Sequence, residues 1–322
     1  MLHRRTIISG FAATLAAPYV ARAQTNRGPV TLIVPFAAGG STDAIARIVA
    51  EAMRAPLGQT VIVENRGGAG GSLGTAAIAH AAPDGLTIGM GTASTLAINP
   101  AAYVKLPYDV LADLAPIGAI AEVPNIMSIN PALPAKDMAS FIALAKEKPD
   151  GFSYGSSGNG SVSHLMGEQF KLATGTKLIH VPYRGVGPAL ADAVGGQIQV
   201  MFDNLPTSLE LVRAGKLRAL AVSAPQRLAA LPAAPTFAEL NLAELNWSAF
   251  FGLVAPAHTP PPVIARFNAA LSDALMQAPV RDHLSAQQAT VTPGTPAQFS
   301  TLMRREIARM QRATQAANIR IE

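Results

Sequence analysis

The sequence predicts an α/β protein built as two lobes, each a parallel-rich sheet flanked by helices. Three observations predict it. Apolar, β-branched runs such as "VTLIVPF" alternate with short helical patterns, as expected for strands buried on both faces. The junctions between them are rich in glycine, serine and threonine. The strand–loop–helix order also occurs in two series without any repeat of the residues themselves, and 322 residues are enough for two domains of ordinary size.

The first series starts at Val30. "VTLIVPF" is a strand, and Ser41 or Thr42 is placed to cap the helix that follows. Asp43 falls in its first turn, where a negative charge suits the helix dipole. Ile45, Ile48, Val49 and Met53 make its buried stripe, and Pro56 and Gly58 end it. "TVIVEN" and "LTIGMGT" are further strands, with helix "TAAIAHAA" between them, so the order is βαβα and the sheet parallel.

The second series starts near Asp137. "GFSYGSS", "KLIHVPY", "QIQVMFDN" and "KLRALAVS" read as strands, with helices between them. "WSAFFGLVAP" reads as a strand passing back between the halves, followed by a proline-led helix, a short strand and a last helix. The expected division is 1–23 signal peptide, 28–127 plus 250–292 lobe 1, and 128–249 plus 293–322 lobe 2. Segments crossing between lobes make a hinge.

The first 23 residues have the layout of an export signal. Arg4 and Arg5 lead, positions 6–21 are uncharged, and "ARA" ends at Ala23. The apolar part is too short for a bilayer and holds Pro18. Cleavage near Ala23 places the chain in the periplasm, by the Sec or the twin-arginine route. Removing Arg4, Arg5 and Arg22 lowers the formal charge from +5 to +2, which gives no argument for nucleic acid. Cysteine is absent, so disulfides, thiolate zinc sites and a cysteine nucleophile are excluded.

Ligands of open α/β sheets sit outside the carboxyl ends of strands. Those ends fall at 36–41, 65–72, 91–94, 155–161, 183–187 and 202–204, and only Arg66 and Arg184 among them are cationic. Glycine lets backbone approach a ligand closely, and helix starts offer unpaired N–H groups that suit anions. The expected site is therefore two facing rims of amide hydrogens holding an organic anion. Asp43 is expected to lock the 39–42 turn by accepting N–H groups or to reach the ligand through water. Asp203 either orders its loop or meets an amino group of the ligand.

Enzyme signatures fail. "GVGPAL" and "GMGTAS" lack the third glycine of a dinucleotide loop, and no Walker motif, hydrolase elbow or metal spacing occurs. The enzymatic rival is a secreted serine hydrolase using Ser157 or Ser161 with His164, oriented by Asp203. His80 and His180 lie in helix and strand patterns and are expected to be packed.

"IVPFAAGGSTDAIAR", "VIVENRGGAGGSLGT", "YGSSGNGSVSHL", "HVPYRGVGPALADAVGGQIQVMFDN" and "AGKLRALAVSAPQR" together resemble the Bug family, whose members are similar to the solute receptors of tripartite tricarboxylate transporters. The likeness runs through essentially all of 29–322. It implies a two-domain periplasmic-binding-protein fold (Venus flytrap, type II-like) that closes on a small mono- or dicarboxylate. It implies a monomer that needs no cofactor or metal, is not an enzyme, and hands its cargo to membrane permease subunits. An extracytoplasmic partner of a signalling sensor is the rival within this class. Carried over, the ligand-binding residues are Phe36, Ala37, Gly39, Gly40, Ser41, Thr42 and Asp43 on the first loop and Ser156, Ser157, Gly158 and Ser161 on the opposing one. Tyr183, Gly185, Gly187 and Pro188 match a further loop, with Asp203 at the next strand end. Ser72 and Ser94 are lesser contacts, and His164 is a ligand-facing donor.

Overall fold

A computed structural model describes residues 28–322. The expected signal peptide and its cleavage point lie outside the described residues.

The first sheet gathers β1 (Val30–Val34), β2 (Val61–Asn65), β3 (Thr87–Thr92), β4 (Leu114–Val123), β10 (Ala249–Pro256) and β11 (Thr290–Val291) in the order β11-β4-β10-β3-β1-β2. The second holds β5 (Asn125–Ile129), β6 (Ser153–Ser156), β7 (Ile179–Pro182), β8 (Val200–Asn204) and β9 (Arg218–Val222) in the order β7-β6-β8-β5-β9. In each, a parallel trio carries βα units: β1 pairs in parallel with β2 and β3, and β6 with β7 and β8. In each, one strand joins the trio from the far side in the opposite sense, β10 against β3 and β5 against β8. β10 is buried along its whole length, as its unbroken apolar run requires.

Helices follow the strands closely. α1 (Ser41–Leu57) follows β1, α2 (Ser72–Ala79) follows β2, and a π-turn at Ser94–Ile98 leads from β3 into α3 (Asn99–Ala102). In the second half, α4 (Met138–Glu147) precedes β6. α5 (Val162–Thr174), α6 (Val186–Val194) and α7 (Leu205–Arg213) follow β6, β7 and β8. α8 (Pro261–Met276), α9 (Ala278–Ala286) and α10 (Pro296–Ala316) complete the chain.

The chain passes between the sheets twice. Pro124 alone separates β4 from β5, and the second passage ends at Trp247 just before β10. The passages are tied together: the Asn125 side-chain amide donates to the Trp247 carbonyl at 2.7 Å, and the Asn125 N–H donates to Ser223 Oγ at 2.6 Å.

Five expectations change. β5 starts at Asn125, so the sheets divide ahead of the expected 127/128 boundary. Neither β4 nor β5 was anticipated, because Pro116 and Gly118 interrupt the run "LAPIGAIAEV"; the β4–β10 pairing absorbs them with register shifts. α10 packs chiefly on β4, α3 and the π-turn of the first half and touches the second lobe only lightly, at α5. Its stripe Phe299, Met303 and Met310 is buried, and bare Gly252 on β10 leaves room for the Phe299 ring, which a Cβ there would strike. Finally, Gly40 is the N-cap of α1 and no side chain caps it, so Ser41 and Thr42 are free for other partners. His80 is exposed, whereas His180 is half-buried.

Candidate functional site

The carboxyl ends of β1 and β3 face those of β6 and β8 across a narrow cavity, with room for about 40 Å³ of water-sized centres. Phe36, Ala37, Gly40, Ser41 and Thr42 line one wall, with Thr92, Ala93 and Ser94 beside them. Ser157, Val162, Ser163, Val186, Asp203, Asn204 and Thr207 line the other, and Ala249 and Phe251 of β10 close the back. Among the described residues, no lysine, arginine or histidine lines it.

The first wall is the start of α1. Its first-turn amides cannot reach a carbonyl four residues back. The Ala44 N–H bonds to the Gly40 carbonyl, and the Ser41 N–H is taken by Thr207 Oγ1 at 3.2 Å. The N–H groups of Thr42 and Asp43 are left without a partner among the described residues. Asp43 itself turns away from the cavity. Its carboxylate accepts from the Gly39 N–H at 3.2 Å, from Arg47 Nε at 3.1 Å and from Asn65 Nδ2 at 3.0 Å. Burial works to raise its pKa, but these bonds and the Arg47 charge outweigh burial and hold it below the usual carboxylate range. The same Asn65 nitrogen donates to the Phe36 carbonyl at 3.1 Å, so β2 braces the loop from behind.

The opposing loop satisfies several of its own amides. The Ser157 N–H donates to Ser163 Oγ at 3.2 Å, the Gly158 N–H to Ser156 Oγ at 3.1 Å, and the Gly160 N–H to His164 Nδ1 at 3.2 Å. Ser161 caps α5, its Oγ accepting from the His164 N–H at 3.3 Å. Behind the loop, the rings of His164 and His180 stack at 4.2 Å and Tyr154 stacks on His180 at 4.9 Å. Ser156 Oγ bonds His180 Nε2 at 2.6 Å. Burial pushes His164 down to about 4 and His180 down to about 3, so both rings are neutral near pH 7.

The end of β8 supplies the third element. Asp203 is 2% exposed; its Oδ1 accepts from Ser208 Oγ at 3.0 Å, and its Oδ2 has no partner. Burial pushes its carboxyl up to about 8, against the pull of the Ser208 bond. Asn204 Oδ1 accepts from Ser41 Oγ at 3.0 Å.

The two halves are shut on one another. Besides the Ser41 bonds, the Val162 N–H donates to Ser94 Oγ at 3.0 Å and Tyr103 Oη to the Asn159 carbonyl at 3.1 Å. Gly70 and Gly158 meet across the mouth, both at positive φ, +60° and +117°. A Cβ on Gly158 would lie 2.7 Å from the Gly70 nitrogen, and one on Gly70 would strike the Asn159 carbonyl.

Of the expected site residues, Phe36, Ala37, Gly40, Ser41, Thr42, Ser94, Ser157 and Asp203 line the cavity. Gly39, Asp43, Ser156, Gly158, Ser161 and His164 form the bracing behind the two loops, and Ser72 is buried at the start of α2. Tyr183 is turned to Asp192, its hydroxyl donating at 2.6 Å, and burial and that bond push it up to about 12. Gly185 and Gly187 flank Val186, which is the lining residue. One expectation is narrowed on geometry and one fails. The second rim gives the amides of Ser157, Gly158 and Gly160 to its own serines and His164, whereas the Ser163 N–H at the start of α5 is left without a partner among the described residues. The pairing of Ser157 or Ser161 with His164 is not formed, since Nδ1 of that ring is occupied by a backbone amide. Ser163 and Thr207 were missed, although each lies in the first turn of a helix that follows a strand end, the same signal that picked out Ser41 and Thr42.

A family model described as tripartite tricarboxylate transporter family receptor matches residues 45–319. The chain belongs to this receptor family. Among the family's relatives, BugT of Bordetella pertussis is 39% identical over 306 residues, covering 94% of each chain. Three solved structures are similar over their whole lengths. The periplasmic binding protein BugD has a TM-score of 0.88 at 31% identity, covering 92% of this chain and 99% of that one. Rpa4515 of R. palustris with adipate has a TM-score of 0.87 at 34% identity, with the same coverage. MatC of Rhodopseudomonas palustris with bound malate has a TM-score of 0.86 at 34% identity, covering 89% and 99%. The fold is thus the two-domain α/β fold of periplasmic binding proteins.

Proposed function

We propose that this receptor binds a small mono- or dicarboxylate in the cavity between its two sheets and delivers it to the membrane permease subunits of a tripartite transporter. The observation that carries the reading is the cavity wall. It joins the open first-turn amides of α1 to hydroxyls and the open Ser163 amide of the facing half, and no basic side chain among the described residues lines it. Hydrogen bonds to a charged group contribute roughly 1.5–3 kcal/mol each, and micromolar affinity needs about 8 kcal/mol net. Two amides at Thr42 and Asp43 with hydroxyls from Ser163 and Thr207 are of the right order. The bound carboxylate of MatC and Rpa4515 supports the same class of cargo.

The protein acts as a periplasmic monomer and carries out no chemistry on its cargo. Closing of the two halves signals the loaded state to the permease, because both halves must contribute to one anion. A thermal-shift screen of organic acids, with adipate and malate first, tests this. Carboxylates raise the melting temperature, since the cargo binds the folded, closed form. A rise seen only with cationic or uncharged compounds would overturn the reading.

A further inference from the structure

Among the described residues, the cavity holds one ionisable side chain, Asp203, and offers it no cation. A carboxylate in that setting is unfavourable, because burial removes its hydration and nothing replaces it. Its two oxygens differ. Oδ1 accepts from Ser208 Oγ, whereas Oδ2 is buried without any partner. A second acceptor aimed at an anion would repel it; a donor there would complete the ring of donors.

We propose that Asp203 takes part in binding as a neutral carboxylic acid, its Oδ2–H donating a hydrogen bond to an oxygen of the bound carboxylate. This rests on the receptor reading above. Capture of the anion is then coupled to a proton held by the protein. O–H···O⁻ bonds are short and strong, and a carboxyl kept neutral by an apolar, uncharged site is an effective donor to a developing or bound anion. The upward displacement of Asp203 to about 8 by burial agrees with this state near pH 7.

Charged groups on the surrounding elements are engaged elsewhere, and none lines the cavity. On α5, Glu168 bonds Lys171 and Tyr154 of β6, and His164 stacks on His180. On α6, Asp192 accepts from Tyr183; on α7, Glu210 pairs with Arg213; across the cavity, Asp43 pairs with Arg47. β5 carries no titratable group. The two histidines titrate well below pH 6.5 and Tyr183 near 12, so pH 6.5 to 9.5 isolates Asp203 among these neighbours. Ligand carboxyls are ionised throughout that window.

The experiment is calorimetric titration of the mature protein with adipate and malate from pH 6.5 to 9.5, each point in two buffers of unlike ionisation enthalpy. Affinity should fall roughly 30-fold across the window, and proton uptake on binding should rise from near zero toward one. Asp203→Asn keeps a donor but cannot ionise. Its affinity should be a few-fold weaker at pH 6.5 and unchanged at pH 9.5, where it overtakes the wild type. Flat wild-type affinity without proton uptake overturns the inference and leaves the receptor reading standing. Tighter binding at high pH, as for a ligand ammonium meeting an ionised Asp203, overturns it too. Failure of every organic acid to bind at pH 6.5 overturns both. Should Asp203→Asn fail to fold, the two-buffer measurement on the wild type decides alone.

Discussion

The two rims of the cavity look alike in sequence and work differently. Both are glycine-rich turns from a strand into a helix, "PFAAGGSTD" and "GSSGNGSVSH". The α1 rim leaves the amides of Thr42 and Asp43 open and is locked from behind by a charged carboxylate, Asp43, held by Arg47, Asn65 and Gly39. The α5 rim spends the amides of Ser157, Gly158 and Gly160 on Ser163, Ser156 and His164, keeps that of Ser163 open, and is locked by a neutral imidazole stack. Both rims therefore keep helix-start amides open, at Thr42 and Asp43 on α1 and at Ser163 on α5; they differ in how many loop amides are already claimed and in what locks the turn. The difference teaches that a glycine-rich strand–helix turn is not by itself an anion site. What matters is whether neighbouring side chains have already claimed its N–H groups.

The comparison breaks most sharply where the halves touch. Gly70→Ala puts a Cβ into the Asn159 carbonyl at a backbone conformation that L residues avoid. Each such strain costs on the order of 1–3 kcal/mol, so closure and carboxylate affinity should drop about tenfold or more by calorimetry. Next come the locks. Asp43→Ala frees Gly39, Arg47 and Asn65 and should weaken binding by about tenfold, since it disorders the open amides of the α1 rim. Ser156→Ala frees the Gly158 amide and releases His180 behind the facing rim, and a smaller loss is expected; equal losses would mean the two locks contribute alike. Ser41→Ala removes one bond across the cleft, to Asn204. Its expected cost is about 1 kcal/mol, a loss of roughly fivefold.

The smallest effect is in stability against pH, and it separates the locks. Both are favoured in their unprotonated forms, so both fade in acid, in different windows. The histidines have folded values of about 4 and 3, below the unfolded value near 6.5. Their contribution is full above pH 6.5 and fades as pH falls toward 4. Asp43, whose pKa is lowered, keeps its contribution until pH falls below the ordinary carboxylate range. Melting temperature should therefore decline by about a few degrees from pH 6.5 to 4, net of the opposite gain from Asp203, whose raised carboxyl stabilises the fold as pH falls; the His164→Gln, His180→Gln double variant should abolish or reverse that decline.

Much of the fold was legible because local rules agree with it. The apolar runs at β1, β3, β8 and β10 are buried as read, and the glycines at their ends make the turns. Where Pro116 and Gly118 broke the pattern of β4, a long strand and the crossing at Pro124 went unread. α10 was assigned to the wrong half because its stripe is apolar either way; only the bare backbone at Gly252 decides which sheet receives Phe299. In the site, Ser41, Thr42 and Asp203 were readable from strand ends. Thr207 and Ser163 were not singled out, because their importance lies in partners 166 and 6 residues away.

A crystal structure with adipate or malate bound tests the central claim most directly. The account predicts one carboxylate clasped from both sides at once, by the Thr42 amide on α1 and by Asp203, Ser163 or Thr207 on the facing half. A carboxylate held by one half alone, or by an arginine or lysine outside this cavity, would contradict it.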